Sequence, residues 1–367
     1  MTVRFDRRRF LQSSGAAALA AGLLPRSAFA ADPLTIGIIY VGARDDFGWN
    51  QSHAVAVQSL KALPNVKVVE EENVPETDAV SKTMESMINL DGAKLILPTS
   101  FGYYSPFVLD EAKANPDVQF RHAAPLWKPT DPKNAGSYFP FLDQAHYVDG
   151  VAAGLASKTG KLGFVAAKPI GIVLRNINSF LTGARTTNPN ATVQVIFTGD
   201  WSLPVREAEA TNALVDAGCD LITCHVDGPK VMIQTAESRG VKSCGHNANQ
   251  GPLAPKGFVT GAEYKWATIY TGFAGMIAKG ETLPNITFGG YDKDMVQSSA
   301  YGAGATEPSR KAADAAIAKL KTGAPIFTTA IKDNNGKVVL ASAPADNYAE
   351  PLNNMDYLVE GVIGSTH

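Results

Sequence analysis

Cysteine and histidine, the two residue types that most often hold metals or drive nucleophilic chemistry, are scarce: three and six among 367. Cys219 and Cys224 flank "DLIT" on one apolar run, and an extended strand of that length holds them too far apart to bridge. Free buried thiols are the expectation, and a pairing of either with Cys244 across neighbouring strands stays open. Basic excess is also missing, since 33 Lys and Arg face 35 Asp and Glu. No basic tract is present to neutralise phosphates, so nucleic acid is excluded as a partner. Catalytic signatures are absent in turn: no G-x-S-x-G, no H-E-x-x-H, no G-x-x-x-x-G-K-[ST], and no G-x-G-x-x-G after the first strand. Asp45 and Asp46 lack further ligands at metal-binding spacing. His225 and His246 sit at strand ends with no nucleophile evidently paired to them. These absences predict a protein without catalytic residues, metal or cofactor.

Long apolar runs are confined to the N-terminus. "RRRFLQ" precedes "GAAALAAGLL", and "SAFA" supplies the small-residue cleavage pattern at Ala28 and Ala30. The run is too short to span a bilayer, which takes about 20 apolar residues. Paired arginines before Phe-Leu point to a twin-arginine-type signal peptide over residues 1–30. Cleavage near Ala30 would release a periplasmic chain, and no cysteine stands there to carry a lipid anchor. Residues 31–367 hold 28 basic and 34 acidic side chains, a mildly acidic surface. They contain no second long apolar run, so the mature chain is not expected to insert in a membrane. Their number exceeds what one core usually serves, which predicts two lobes.

What is abundant is alternation. Apolar strand candidates at 34–41, 66–74, 93–100 and 118–124 are separated by segments with apolar residues at three- and four-residue intervals. A second series follows at 161–167, 191–199, 219–226, 241–247 and 257–264. Repeated βα units imply parallel sheets covered on both faces. The predicted fold is α/β, two doubly wound parallel-sheet lobes with a ligand cleft between them. Lobe 1 is read as 31–140 plus roughly 265–283. Lobe 2 is read as 141–264 plus roughly 284–367, the late segments being the least legible.

In such sheets ligands bind beyond the carboxyl ends of the strands. Those ends here read "YVGARDDFGWNQ", "TSFGYYSP", "TGDWSLP", "HVDGPK" and "GHNANQ". Trp49, Phe101, Tyr103 and Trp201 offer flat apolar faces; Asp46, Asn50, Asp227, Asn247 and Asn249 offer directional polar groups, and Tyr40 ends the first strand. This set suits a flat heteroaromatic ligand, with each stacking contact contributing roughly 1–3 kcal/mol and carboxamides able to donate and accept along a base edge.

The order and spacing of these pieces resemble the basic membrane protein family of ABC-importer solute receptors, whose best-understood branch binds purine nucleosides. The resemblance rests on "DFGWNQ" (46–51), "ANPDVQF" (114–120), "VDGVAAGLASKTGKLGFVAA" (148–167), "TGDWSLPVREAEATNALVDAGCDLI" (198–222) and "CGHNANQ" (244–250). It implies a two-lobed type I periplasmic-binding-protein-like receptor that closes on its ligand and delivers it to an inner-membrane ABC permease, acting as a monomer and not as an enzyme. By position it makes Trp49 and Trp201 the base-stacking pair, with Asp46 and Asn50 as contacts from lobe 1 and Asn247 from lobe 2. Asn247 stands where nucleoside-binding members carry an Asp that clasps sugar hydroxyls. A carboxamide holds a diol less well than a carboxylate does, so a free purine such as adenine is the expected ligand. A nucleoside or another flat or sugar-like ligand is the alternative within this class. A sensor docking to a membrane signalling protein, or an exported nucleoside hydrolase, is the alternative outside it.

Overall fold

The computed structural model describes residues 32–366, and the signal-peptide expectation therefore lies outside the described residues. Residues from Leu34 onward form one compact unit. It is built on two sheets. The first uses β1 (Leu34–Ile39), β2 (Val66–Glu71), β3 (Leu95–Pro98), β4 (Gln119–His122) and β5 (Ala135–Pro140). The second uses β6 (Lys161–Ala166), β7 (Thr192–Phe197), β8 (Leu221–His225), β9 (Lys242–Asn247) and β10 (Phe258–Tyr264). Three short strands follow at either sheet: β11 (Ile286–Gly289), β12 (Val296–Ser298) and, after a small hairpin of β13 (Ile331–Lys332) and β14 (Val338–Leu340), β15 (Val362–Ile363).

Spatial order is β11-β5-β4-β3-β1-β2 in one sheet and β12-β10-β9-β8-β6-β7-β15 in the other. Every pairing is parallel except β10 with β12. Both sheets therefore carry the 2-1-3-4-5 winding, with switch points beside β1 and β6 where ligands of such folds bind. Central strands are buried on both faces, as β3 and β8 are along their whole length; this is why "LILP" and "LITCH" show no polar alternation.

Helices α1 (Trp49–Lys61), α2 (Asp78–Asn89) and α3 (Leu109–Ala114) serve the first sheet, and α4 (Asp143–Ala156), α5 (Gly171–Thr187), α6 (Pro204–Asp216) and α7 (Lys230–Ser238) the second. Helices α4 and α5 touch through reciprocal glycines. A Cβ on Gly150 would lie 2.0 Å from Phe180 O, and one on Gly183 would lie 2.0 Å from Tyr147 O.

The chain crosses between sheets after β5 and after β10, and again after β11. Helix α8 (Trp266–Ala278) returns to pack on α1, where Trp266 Nε1 donates to Ser52 Oγ at 2.8 Å and Tyr270 OH meets His53 Nδ1 at 2.6 Å. Strand β11 then pairs with β5, so residues 286–289 belong to the first sheet and not to the second lobe as the sequence suggested. A four-residue strand on an edge has too few buried positions to announce its sheet. The tail packs on α5 and closes the second sheet through β15. Cys219, Cys224 and Cys244 are all buried free thiols, so the pairing with Cys244 left open above does not form. Among the described residues no helix is long and apolar enough to cross a membrane.

Candidate ligand cleft

The loop after β1 is organised by one carboxylate. Asp46 Oδ1 accepts from the backbone N–H of Gly48 (2.8 Å) and Gln51 (2.9 Å); Oδ2 accepts from Asn50 N (3.0 Å) and Asn50 Nδ2 (2.8 Å). The three backbone N–H groups among them belong to the start of α1, so Asp46 acts as its cap. Asn50 Oδ1 in turn accepts from Gly42 N at 3.2 Å, and the residue is buried. Tyr40 is fully buried and donates to Glu70 Oε1 at 2.9 Å. Tyr40, Asp46 and Asn50 do not border the cleft cavity; they hold the loop that presents Trp49.

Trp49 is fixed on several sides. Its Nε1 donates to Thr99 O at 2.7 Å, and its ring meets His53, Tyr264 and Trp266 edge to face at 4.7–5.6 Å. The loop also touches the opposite lobe. Trp49 N donates to Asp227 O at 2.8 Å, and Gln250 Nε2 donates to Phe47 O at 2.5 Å. Phe47 has φ 56°, an unusual left-handed conformation for a bulky residue. Gly48 lies so close to the other lobe that a Cβ there would sit 1.8 Å from Asp227 O. The lobes are closed on each other.

Between them is a cavity of about 70 Å³. Five of the eight expected residues border it: Trp49 and Phe101 from the first lobe, and Trp201, Asp227 and Asn247 from the second. Glu76, Ser100, Phe139, Ile172, His225 and Tyr264 complete most of the wall. Tyr103 and Asn249 are turned to other work, donating to Val74 O and accepting from Gly251 N. Phe139 and Tyr264 sit in strands, where an aromatic residue reads as core; nothing in the sequence marks them. His225 was visible at its strand end and was discounted for want of a nucleophile.

The wall contains no lysine or arginine. Its carboxyls shape the electrostatics instead. Asp227 borders the cavity and is half-buried. Burial first, then the nearby negative charges of Asp46 and Glu76, push its pKa up to about 8. At neutral pH it is mostly a neutral acid, able to donate one hydrogen bond and accept another. His225 accepts from Asn176 Nδ2 at 2.8 Å through Nδ1, and burial pushes its pKa down to about 3, so it is a neutral ring protonated on Nε2. Asn247 holds φ 70° and donates to Val226 O at 3.3 Å, leaving its carbonyl as an acceptor. Glu76 accepts from Ser100 Oγ and from Gly102 N at 2.8 Å. No group of three or more His, Cys, Asp or Glu that could hold a metal occurs among the described residues.

Comparison with known proteins gives these features a context. Residues 34–299 match the family model of PnrA-like ABC transporter substrate-binding proteins. A purine-binding protein of Brucella abortus is 34% identical over 350 residues, covering 94% of this chain and 97% of its own. Basic membrane protein D of Borreliella burgdorferi is 25% identical over 63% of this chain and 68% of its own. Among solved structures, an ABC-transporter solute-binding protein of Conexibacter woesei superposes with a TM-score of 0.67 at 21% identity, over 79% of this chain and 97% of that one. That likeness speaks for the fold. The extent of the family match, joined to two wound sheets closed over one cavity, makes this chain a member of the PnrA-like family of ABC-transporter substrate-binding proteins.

Proposed function

We propose that the protein is the periplasmic receptor that captures a purine base, adenine in preference to a nucleoside, for an inner-membrane ABC permease. The observation that carries this reading is one cation-free cavity bordered by Trp49, at the start of α1, and Trp201, in the loop after β7 of the other sheet. Two indoles provide stacking surface on a planar ring, at roughly 1–3 kcal/mol per stacked face. Without a lysine or arginine in the wall, phosphate esters find no counter-charge, so nucleotides are disfavoured.

Edge recognition follows from protonation. Adenine presents a ring-nitrogen acceptor beside an amino donor. A neutral Asp227 matches that pair by donating to the nitrogen and accepting from the amine. The Asn247 carbonyl and Glu76 offer further acceptors for N–H groups. Because Trp49 and Trp201 come from opposite lobes, a ligand held by both favours closure through contacts the open form cannot make. The strong resemblance to a purine-binding relative supports the same reading.

Calorimetric titration of unfolded, ligand-stripped and refolded protein tests it. Adenine should bind one-to-one, with adenosine weaker and ribose and glucose silent. Glucose belongs in the panel because a Haloferax volcanii relative, 29% identical over 70% of this chain and 62% of its own, is provisionally named as glucose-binding. Sugar binding without base binding would overturn the proposal. Chromatography after incubation with adenosine should show no product; free base appearing would make the protein a hydrolase.

A further inference from the structure

A second, larger cavity adjoins the first. It measures about 370 Å³ and shares Phe139, Ile172, His225 and Tyr264 with it as a common wall. It lies where the chain crosses between sheets, bounded by residues 139–143 after β5, by 286–288 of β11, by the first turns of α5 and by the tail at Tyr348 and Asn353.

Polar groups line this chamber, and many of them are engaged with the protein itself. Arg175 pairs through Nε with Asp143 Oδ2 at 2.9 Å and donates to Asn353 Oδ1 at 2.7 Å and to Asn347 O, while its guanidinium stacks 4.4 Å from the Phe141 ring. Ser137 Oγ accepts from Leu126 N and Trp127 N, at 3.2 and 2.9 Å. Asn176 donates to His225, and Tyr348 OH donates to Asp292 and accepts from Gly290 N. Asp143 Oδ1 and Thr287 Oγ1 have no partner, and one ring nitrogen of His225 and one amide end each of Asn176 and Asn353 are left over. The one cation is neutralised and its donors are aimed at protein, so a phosphate or carboxylate finds none. Most of the open surface is apolar, contributed by Phe139, Phe141, Leu142, Ile172, Ile286 and Phe288.

We propose that this chamber receives an apolar substituent of the ligand, a ring or short branched chain attached to the purine, with the base held between Trp49 and Trp201. The inference rests on the base-site reading above. The chamber exceeds the base cavity in volume, borders it over four residues, and offers surface that water covers poorly. A bare base leaves that surface unused, and a sugar would set its hydroxyls against a wall that is mostly apolar. The receptor is therefore selective for alkylated or arylated bases over the parent compound.

The test is titration of the stripped full chain with adenine, N6-benzyladenine, 9-benzyladenine and adenosine. At least one benzyl isomer should bind about tenfold or more tighter than adenine, since even part of a phenyl ring buries enough apolar area for that. Ile286→Trp, on a half-exposed edge-strand position that borders only the chamber, should erase the advantage and leave adenine binding intact. Asn354→Trp, exposed and on another wall of the chamber, is an independent second blocker. Adenine binding reports that each variant is folded. If adenine binds and neither benzyl isomer exceeds it, or if both variants keep the advantage, the chamber is not a ligand site. Adenosine as the tightest ligand would make it a sugar site. If no purine binds at all, the base-site reading fails and this inference falls with it.

Discussion

Replacing Gly48 by alanine should cost the protein its closed form. A Cβ at this position would lie 1.8 Å from Asp227 O and 2.6 Å from Pro229 Cδ, both in the opposite lobe, with no nearer neighbour from its own. Side-chain carbons do not approach other atoms within about 3.0 Å, so the loops must part by roughly 1.2 Å at that point. Such a movement stretches the 2.8 Å bond from Trp49 N to Asp227 O beyond hydrogen-bonding range and loosens the Gln250 bond to Phe47 O. Two bonds at about 0.5–1.5 kcal/mol each amount to about 1–3 kcal/mol, a weakening of adenine binding of roughly 5- to 150-fold. Poorer stacking adds to this. The open form has room for the methyl group, so the melting temperature of the ligand-free variant should stay close to that of the parent. Calorimetry gives the affinity, and small-angle scattering with and without adenine gives the closure. A variant that binds and compacts like the parent would refute the claim that closure runs through this contact.

Trp49→Ala and Trp201→Ala should each weaken adenine binding by about 5- to 150-fold, the value of one stacking face, while circular dichroism stays unchanged. Adenine affinity should be level below pH 7 and fall as pH rises through about 8, because Asp227, its folded pKa raised by burial, ionises there and loses its donor proton. Asp227→Asn, which donates and accepts at every pH, should flatten that profile; an unchanged profile would detach Asp227 from the ligand. The same sign applies to closure: ionised Asp227 opposes the closed form, so the closed fraction without ligand should shrink from neutral to alkaline pH. Arg175→Leu leaves Asp143 buried without its counter-charge and should destabilise the protein by about 3–5 kcal/mol, read from urea denaturation. The three buried thiols should resist a thiol reagent until denaturant is added.

The winding of both sheets was legible because "LTIGIIYV" and "CDLITCHV" are apolar runs between amphipathic segments, and an alternation of strand and helix of that kind has few solutions. The rule that ligands sit beyond strand ends then led to Trp49, Phe101, Trp201, Asp227 and Asn247, all of which border the cavity. Asp46 and Asn50 do not border it. A carboxylate three residues ahead of a helix looks the same in sequence whether it caps that helix or meets a ligand; the four donors around Asp46 show the cap. Tyr40 ended the strand but faces Glu70. Phe139 and Tyr264 were invisible for the opposite reason, being aromatic residues in strands whose place at the crossovers depends on three chain crossings no local pattern records. β11 was assigned to the wrong lobe because its burial alternates too briefly to show a face.

Those crossings have a consequence for how the protein comes into being. The first sheet holds β1 to β5, yet its edge strand β11 and the covering helix α8 lie more than a hundred residues further along, beyond the whole second wound unit. During synthesis β5 is an unpaired edge until residue 289 has emerged, and an open edge invites pairing with other chains. The second sheet in turn waits for residues 362–363 to cover β7. Neither lobe exists as a finished object before the other, so no cut of the gene into halves yields two intact domains. The molecule matures late as a single unit, because strands made late complete sheets that earlier strands begin.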